Sequence, residues 1–491
     1  MNVRTAHRCL DILKDCFSWD RPFRRQVLQI MLPVLLQQIL AYSIGLADSL
    51  MVTGMGDAAY AAVVQANRLI NIFQHLVLGI QSAAFIFLAQ FAGAGDHRRL
   101  KQVLGMTLFG SSAVSLLSIL AVLLFPETLL SIFLKPGESF DFAREYLAIA
   151  AWSFLPFAIN GAYTVATRAS GVTWTAMVSS VANMIVNLLL NYLLINGRFG
   201  FPALGVKGAA IATVTAMVVS MLLSVILPYG LRLPAAAKPR EWLGADRVLI
   251  RRYLKMLGPF MVQDFGWTLG NSMYGVYFGR MGDAVVATYS VANTLNGLIS
   301  MVTAGLNQAA NIMVGSALGR GKVDEAYKTG KRLLAMVTAA SLLLGLLLVA
   351  FRQPVISLFT GLSAEVHEGA TALVIVTSLC YVLRVLPSVL LGGILRSGGD
   401  TRFSCVTTCW TMWLVAVPAT ALAAFVFHLP LPVVVFCTYL DEIIKTTLGF
   451  RKFVSMQWAA VLTEKTVAEA GNTRESPKRL KTRKGDDAKR S

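Results

Sequence analysis

Long apolar runs recur along the whole chain, separated by short polar segments that are rich in glycine and charged residues. A helix that crosses a lipid bilayer needs about 20 mostly apolar residues, and each run is close to that length or longer. Twelve runs are predicted as spans, near residues 27–49, 61–91, 104–126, 146–167, 176–196, 208–228, 255–278, 287–315, 333–351, 370–394, 403–426 and 432–452. The pattern therefore predicts an all-α polytopic membrane protein with twelve transmembrane helices.

The composition agrees with this prediction. The 491 residues are 56% hydrophobic and only 14% charged, whereas soluble domains carry roughly 25% charged residues. A soluble enzyme and a disordered chain are therefore excluded as starting points. The sequence has no Walker A motif, no HExxH and no nucleophile elbow, and Cys405 and Cys409 are interpreted as packing residues rather than ligands. We expect no enzyme activity and no cofactor.

The positive charge is strongly asymmetric across the predicted membrane. The formal net charge is +18, and 35 of the 44 lysines and arginines fall on one side when both termini are placed inside the cell. Membrane proteins keep such residues in cytosolic loops, which fixes their orientation. We therefore expect a multi-pass protein of the cell inner membrane with both termini cytoplasmic. The charge is assigned to topology, so no nucleic-acid partner is expected.

The two halves of the chain repeat one another at a fixed offset of 226 residues. The matching positions are Pro33 with Pro259, Gln37 with Gln263, Met55–Ala58 with Met281–Ala284, Gly79 with Gly305, Ala83–Ala84 with Ala309–Ala310, and Gly93 and Gly95 with Gly319 and Gly321. A further match joins Arg168–Thr173 to Arg396–Thr401 at an offset of 228. Six spans in each copy make the copies parallel, related by an axis along the membrane normal.

This repeat predicts two six-helix lobes that face each other across a central cleft, the geometry of alternating access. The expected organisation is a cytosolic N-terminal tail (1–26), an N-lobe (27–228), a cytosolic linker (229–254), a C-lobe (255–455) and a basic cytosolic tail (456–491). The last segment is interpreted as a solvated tail, with contact to anionic lipid as the alternative.

Few ionisable residues occur inside the predicted spans, where each costs roughly 2.5–3.5 kcal/mol on insertion scales. In the N-lobe, Asp48 lies towards the outer end of the first span, and its repeat partner is Tyr274. Span five carries Asn183, Asn187 and Asn191 at intervals of four, so they share one helix face. Two readings stay open for these amides: they join helices, or they form a polar wall that positions an ion or a substrate.

The C-lobe contains a different set of polar residues. Gln263 and Asp264 lie one turn after Pro259 in span seven, and Arg384 lies in span ten. With Tyr274 they are candidates for a substrate cleft or a polar site of the C-lobe. In span twelve, the spacing of Asp441 and Lys445 predicts a structural ion pair.

Several of these stretches together resemble the multidrug and toxic compound extrusion (MATE) family of transporters. The similarity covers nearly all of residues 27–458. Its most specific parts are Asn187–Gly200 and Pro202–Thr213, supported by Asp48 ahead of Met55–Gly56, Gly93–Asp96, Leu395–Thr401 and the stretch from Asp441 to Trp458.

The resemblance implies an antiporter that exports amphipathic, often cationic small molecules in exchange for H+ or Na+. Asp48 matches the coupling acid of the family's first span, Asn187 and Asn191 match two polar positions of span five, and Thr213 matches a hydroxyl of span six. The metal ion that the resemblance allows is Na+, bound at Asp48. The expected partners are small-molecule substrates and the lipid bilayer, and the protein is expected to be a monomer.

Two departures from the family pattern bear on the coupling ion. Asn191 stands where one branch has an aspartate, so Asp48 is a lone carboxylate, which suits a proton, with Na+ as the alternative. Val385 beside Arg384 stands where another branch has an acid in span ten, so a Na+ site of that kind in the C-lobe is doubtful.

A flippase of a lipid-linked precursor is the alternative function with the same architecture. Such proteins usually line their cleft with several basic residues. Away from the span ends, only Arg68, Arg384 and Lys445 lie inside the predicted spans, which disfavours an anionic lipid cargo.

Overall fold

The computed structural model describes residues 19–53, 55–132, 134, 136–357 and 363–461, without the side chains of 46–50, 52, 53, 57, 196, 283, 298 and 364. Within these residues the fold is built from helices, and they contain no strand. Most of the predicted N-terminal tail (1–26) and of the basic tail (456–491) lies outside the described residues, and so does the side chain of Asp48.

In the described part of the chain, twelve long helical segments follow the twelve predicted spans. In the first half they are α1 (Arg21–Thr53), α2 (Asp57–Ala94), α3 (His97–Leu124), α4 (Glu138–Ala150 and Phe154–Ala169), α5 (Trp174–Asn196) and α6 (Val206–Gly230). In the second half they are α7 (Arg247–Met281), α8 (Asp283–Gly319), α9 (Val323–Ala350), α10 (Ala364–Val389 continued by the π-helical Leu390–Leu395), α11 (Thr401–Thr411 continued to Val426) and α12 (Leu431–Cys437 and Leu440–Val454). Short helices occupy Pro126–Ser131, Pro239–Trp242 and Arg352–Ile356.

Among the described residues, nine helices are long and apolar enough to cross a membrane, and α8, bent by 41° between Ala284–Gly297 and Ile299–Gly319, makes a tenth. The remaining two, α7 and α12, are more polar: α7 carries Gln263 and Asp264, and α12 carries five charged residues. Both stand at predicted spans, and the all-α polytopic fold is confirmed.

The connection between the halves lies at one end of the bundle, which we call the linker end. Asp246 caps α7 by accepting a hydrogen bond from the backbone N–H of Leu249 at 2.6 Å, as expected of an N-cap carboxylate. In the same region Glu241 of the short linker helix accepts a hydrogen bond from Lys101 on α3 at 2.8 Å. The linker is therefore attached to the first half by polar contacts.

The repeat is visible as a local two-fold relation at the contact between α2 and α8. A Cβ added to Gly93 would overlap the backbone of Ser316, and one added to Gly319 would overlap the backbone of Gln90. These contacts are reciprocal, because Gln90 and Ser316 are themselves related by 226 positions. A Cβ at Gly315 would meet its own repeat partner Ala89, so this pair lies on the axis.

Glycines at the ends of α2 and α8 repeat for a backbone reason. Gly95 and Gly321 have φ values of 71° and 74°. Left-handed φ values of this kind favour glycine, and Gly95 ends its helix as a left-handed C-cap. The matching glycines in the sequence therefore mark positions where chain geometry, rather than chemistry, repeats.

The buried side chains form one shared core and two separate ones. The largest cluster combines both halves near the linker end, with Phe87 and Phe91 of the first half and Phe260 and Phe453 of the second. Towards the opposite end, one cluster contains residues between Ala59 and Ala210 only, and another contains residues between Tyr274 and Tyr439 only. The halves are thus joined at the linker end and have separate cores at the far end.

Candidate functional site

A polar cavity of about 430 Å³ lies between the two halves. The first half contributes Gln37, Gln81, Asn160 and Arg168, and the second contributes Asn307, Gln308, Asn311 and Arg396. Apolar side chains, among them Leu78, Phe85, Phe157 and Val165, complete the lining. Convergent polar groups among apolar side chains are the usual form of a small-molecule site, and here the polar share is large. We call it the central cavity.

Two arginines related by the repeat line the central cavity. Arg168, near the end of α4, donates a hydrogen bond to Oε1 of Gln37 on α1. Arg396, just beyond the π-helical segment of α10, lies 3.9 Å from Asp264 on α7 and stacks over the Phe260 ring at 4.0 Å. The Nε atom of each arginine is buried without a hydrogen-bond partner among the described residues. The two guanidinium groups therefore give the lining of the central cavity a positive charge that its neutral amides do not have.

Sequence reasoning missed both arginines as site residues. It placed them with the cytosolic loop charges, because each comes just after an apolar run. The sequence signal for these arginines was their match at an offset of 228, because both halves carry a charged residue at the same position beside an apolar run.

In the first half, the predicted amides of α5 are buried and face one another. Asn187 and Asn191 are 2% and 1% exposed, and Nδ2 of Asn191 donates to Oδ1 of Asn187 at 3.2 Å. Asn183, one turn earlier, is half-buried. Thr213 of α6 is also half-buried, and its hydroxyl donates to the carbonyl of Ala209 at 3.0 Å. The amides thus form a neutral polar pair inside the first half.

The predicted partner of these amides is Asp48. Its backbone belongs to α1, which extends from Arg21 to Thr53, but its side chain lies outside the described residues. Its role as a coupling acid therefore stays a prediction.

The second half has a smaller cavity of about 250 Å³ next to the central one, and we call it the C-half cavity. The two share Asn307, Gly392 and Arg396 in their walls. Of the predicted residues, Gln263, Asp264 and Arg384 line the C-half cavity. Gln263 donates to the Thr408 hydroxyl at 3.3 Å.

Tyr274, the fourth residue predicted for this half, has a different position. It is 3% exposed and packs in the separate core of the second half. It lines neither the central cavity nor the C-half cavity.

The charged residues of α12 lie beside the C-half cavity. Lys445 contacts Asp441 at 2.5 Å, which confirms the predicted ion pair, and it also contacts Glu442 at 3.5 Å. Arg384 on α10 stacks over the Tyr439 ring at 5.7 Å. Asp441, Glu442 and Lys445 are 2%, 7% and 4% exposed. One lysine therefore serves two buried carboxylates, which the sequence pattern did not predict.

The residues that the structure describes contain no group of three or more His, Cys, Asp or Glu side chains placed to hold a metal ion. The polar atoms that line the cavities are amides, hydroxyls and guanidinium groups, together with Asp264, Glu442 and Lys445. Such groups bind and orient a ligand.

Comparison with known proteins identifies the family. The sequence model of the family described as MatE matches residues 33–193 and again 259–422. The two matches begin 226 positions apart, which is the offset of the repeat.

Curated relatives and solved structures agree with this match. A probable multidrug resistance protein NorM of Thermotoga maritima is 23% identical over 91% of this chain and 96% of its own length. The multidrug resistance protein MdtK of Edwardsiella ictaluri is 26% identical over 82% and 87%. The Vibrio cholerae MATE transporter VcmN in its bent form, at 19% identity, has a TM-score of 0.77 over 88% of this chain and 96% of that one. An outward-facing MATE family multidrug transporter gives the same TM-score, identity and coverage. The chain belongs to the MatE family.

Proposed function

We propose that the protein exports amphipathic small molecules from the cell in exchange for H+ or Na+, by alternating access. One observation carries the proposal: the central cavity lies between two repeat-related halves that share a core only near the linker end. Transporters built from such repeats move one half against the other around a fixed site. The names of the relatives, which are multidrug resistance proteins, support the same class of substrate.

We further propose that the linker end faces the cytosol. Arg240, Arg247, Arg251 and Arg252 are concentrated there, and cytosolic loops carry such excess basic charge. The separate cores at the far end then belong to the outer side of the membrane. This arrangement corresponds to a cell inner membrane protein with both termini in the cytoplasm.

The proposed coupling site is in the first half, at Asp48. The buried amides of Asn187 and Asn191 support it, because two neutral donors inside a lobe provide polar surroundings for an ion or a protonated acid. Amide and hydroxyl oxygens, with Thr213 nearby in the family pattern, are also suitable ligands for Na+. With a single carboxylate, binding of one proton or one Na+ neutralises the site.

The test of this proposal is substrate efflux from cells that carry the Asp48→Asn variant. A fluorescent lipophilic cation such as ethidium serves as the probe, and membrane insertion is checked by quantifying the protein in the membrane fraction. We expect efflux to be lost while insertion is unchanged. Asp141→Asn, at an exposed position of α4, is the matched control and should keep full efflux. Undiminished efflux in Asp48→Asn would overturn the assignment.

A flippase of an anionic lipid-linked precursor is the second candidate, and one observation now favours it. The central and C-half cavities are lined by Arg168, Arg384, Arg396 and Lys445, against Asp264 and Glu442. The sequence had suggested fewer basic groups around the cleft. Flipping of a fluorescent anionic lipid in proteoliposomes, compared with dye transport in the same vesicles, separates the two functions.

A further inference from the structure

The second half buries a network of charged side chains. A purely structural role explains this network poorly, because burying its charges costs free energy. Two adjacent carboxylates, Asp441 and Glu442, share the single ammonium of Lys445, at 2.5 and 3.5 Å. Removing a charge from water costs several kcal/mol, and a buried ion pair often stabilises no better than apolar residues of the same size. The ion pair of Asp441 with Lys445 would by itself neutralise both charges. The additional buried acid, Glu442, therefore needs another explanation.

The repeat relates this network to the predicted coupling site of the first half. At the offset of 226, Asp48 on α1 corresponds to Tyr274 on α7. At the offset of 228, which also aligns Pro202 with Pro430, Thr213 on α6 corresponds to Asp441 on α12. Each half therefore has one acid and one hydroxyl at this pair of positions, but the acid has moved from the first helix of the repeat to the last.

Two buried atoms in the network have no hydrogen-bond partner among the described residues. They are Oδ1 of Asp441 and the hydroxyl of Tyr274, and both residues are at least 97% buried. Asp441 is among the charged groups that act on the Tyr274 hydroxyl. A carboxylate oxygen accepts and a phenol donates, so a small rotation could join them. The network can therefore form more bonds than this arrangement has.

Glu442 connects the network to the space between the halves. Glu442 and Lys445 line the C-half cavity, whereas Asp441 does not. That cavity shares Asn307, Gly392 and Arg396 with the central cavity. A proton in the central cavity therefore has a polar route to Glu442.

The charges around Glu442 favour a proton over a larger cation. The titratable or charged groups on the elements packed around the network are Asp441 and Lys445 on α12, Tyr439 before it, Arg384 on α10, Tyr274 and Asp264 on α7, Tyr289 on α8, Arg396 after α10, and Cys409 on α11. Three cations line the C-half cavity against two acids. A metal ion needs several oxygen ligands, and this lining offers few carboxylates that are free of a neighbouring cation. A proton needs only one carboxylate oxygen.

We propose that Glu442 is a second proton-binding site of this transporter, located in the second half and reached through the C-half cavity. A hydronium ion in the cavity transfers its proton to a carboxylate oxygen of Glu442, forming an O–H bond and leaving water. Lys445 then pairs with Asp441 alone, and Arg384 loses the attraction of Glu442. Protonation thereby weakens the attraction between α10 and α12.

This inference rests on the proposed ion-coupled function, and the experiment keeps the two apart. Purified protein is placed in sealed proteoliposomes, ethidium transport is driven by an imposed pH gradient, and protons moved per dye are measured with a pH indicator. We expect Glu442→Gln to transport dye with one proton fewer per dye than the wild type, and with a flatter pH profile. Glu365→Gln, at an exposed position of α10, should match the wild type.

The Glu442→Gln variant is expected to fold, because Lys445 keeps its 2.5 Å partner Asp441. Glu442→Asp provides a second reading: it keeps a carboxylate, so it should keep the wild-type proton count with a displaced pH profile. If Glu442→Gln has the proton count and the pH profile of the wild type, Glu442 binds no coupled proton. A proton count in Glu442→Asp as low as that in Glu442→Gln would also contradict the proposal, because the carboxylate is then not what carries the proton. A wild type that responds to a sodium gradient but not to a pH gradient would overturn the proton site at Glu442 and leave the proposed function standing. A wild type that responds to neither gradient would instead count against the proposed function.

Discussion

The two halves of this transporter repeat their packing and their cavity arginines, but not the polar chemistry inside each lobe. At the shared axis, Gly93 and Gly319 make reciprocal contacts, and Ala89 meets Gly315. Inside the lobes, the first half buries neutral amides at Asn187 and Asn191, whereas the second buries Asp441, Glu442 and Lys445. Close contact across an axis constrains both copies equally, while coupling chemistry can be placed differently in each. Small residues at the axis therefore mark the architecture, whereas the buried polar residues that differ between the lobes mark where each half has its own chemistry.

The largest expected difference between the halves concerns stability. Lys445→Met leaves two buried carboxylates without their cation. Breaking a buried ion pair in this way costs about 3–5 kcal/mol of stability. In the first half, Asn191→Leu removes one neutral hydrogen bond and leaves Asn187 with an unmet group, which costs about 1–3 kcal/mol. Unfolding of the purified proteins in detergent, followed by circular dichroism, compares them.

A double variant that removes one charge of each sign tests whether the unpaired carboxylates cause the loss of stability in Lys445→Met. Asp441→Asn together with Lys445→Met removes one charge of each sign and leaves Glu442 as the remaining acid of the three. It should recover part of the stability lost in Lys445→Met. If Lys445→Met is as stable as Asn191→Leu, the charge network contributes no more than the amide pair.

Much of the architecture could be predicted, because it depends on long apolar runs and on a repeat of small residues. The ion pair of Asp441 and Lys445 was predicted from their spacing on one helix face. The positions of Arg168 and Arg396 were not, because they depend on how the ends of α4 and α10 pack against α1 and α7. The π-helical segment Leu390–Leu395, which places Gly392 in the wall of both cavities, likewise has no pattern of its own in the sequence.

The contact between the halves should be the next most sensitive feature. Gly319→Val places a side chain against the backbone of Gln90, and overpacking of this kind costs about 1–3 kcal/mol. We expect a lower thermal unfolding midpoint and easier opening of the linker end, seen as faster labelling of a cysteine introduced there. Gly275→Ala is the matched control, since a Cβ at Gly275 meets nothing within 4 Å. Equal behaviour of the two variants would contradict the packing account.

A smaller effect is expected when the first half is given a second acid. Asn191→Asp adds a carboxylate to the face of α5 where Asn187 is buried, near the proposed coupling site. A like charge nearby favours the protonated form, so the pH profile of dye transport should move to higher pH by about one unit. Asn183→Asp, two turns away on the same helix, should move it less. A shift to lower pH would argue against a proton at this site.

The smallest effect is expected at the linker. Hydrogen bonds from Lys101 and from the backbone of Lys238 hold the pKa of Glu241 below its usual value. Because the pKa is lower in the folded protein, this contribution to stability is complete above the ordinary range of a glutamate and is lost as the pH falls through the folded value. Glu241→Gln should therefore flatten the acid side of a thermal unfolding profile slightly. Identical profiles for Glu241→Gln and the wild type would show that this exposed contact does not contribute.

Export through the cavity between the two halves should be driven by a cation gradient. Ethidium transport in sealed proteoliposomes tests this most directly, with a pH gradient and a sodium gradient imposed in separate experiments. We expect uphill dye movement with one of the two gradients, none without a gradient, and none with either gradient in Asp48→Asn. Dye movement that is equally fast with and without both gradients would show that no cation gradient drives export.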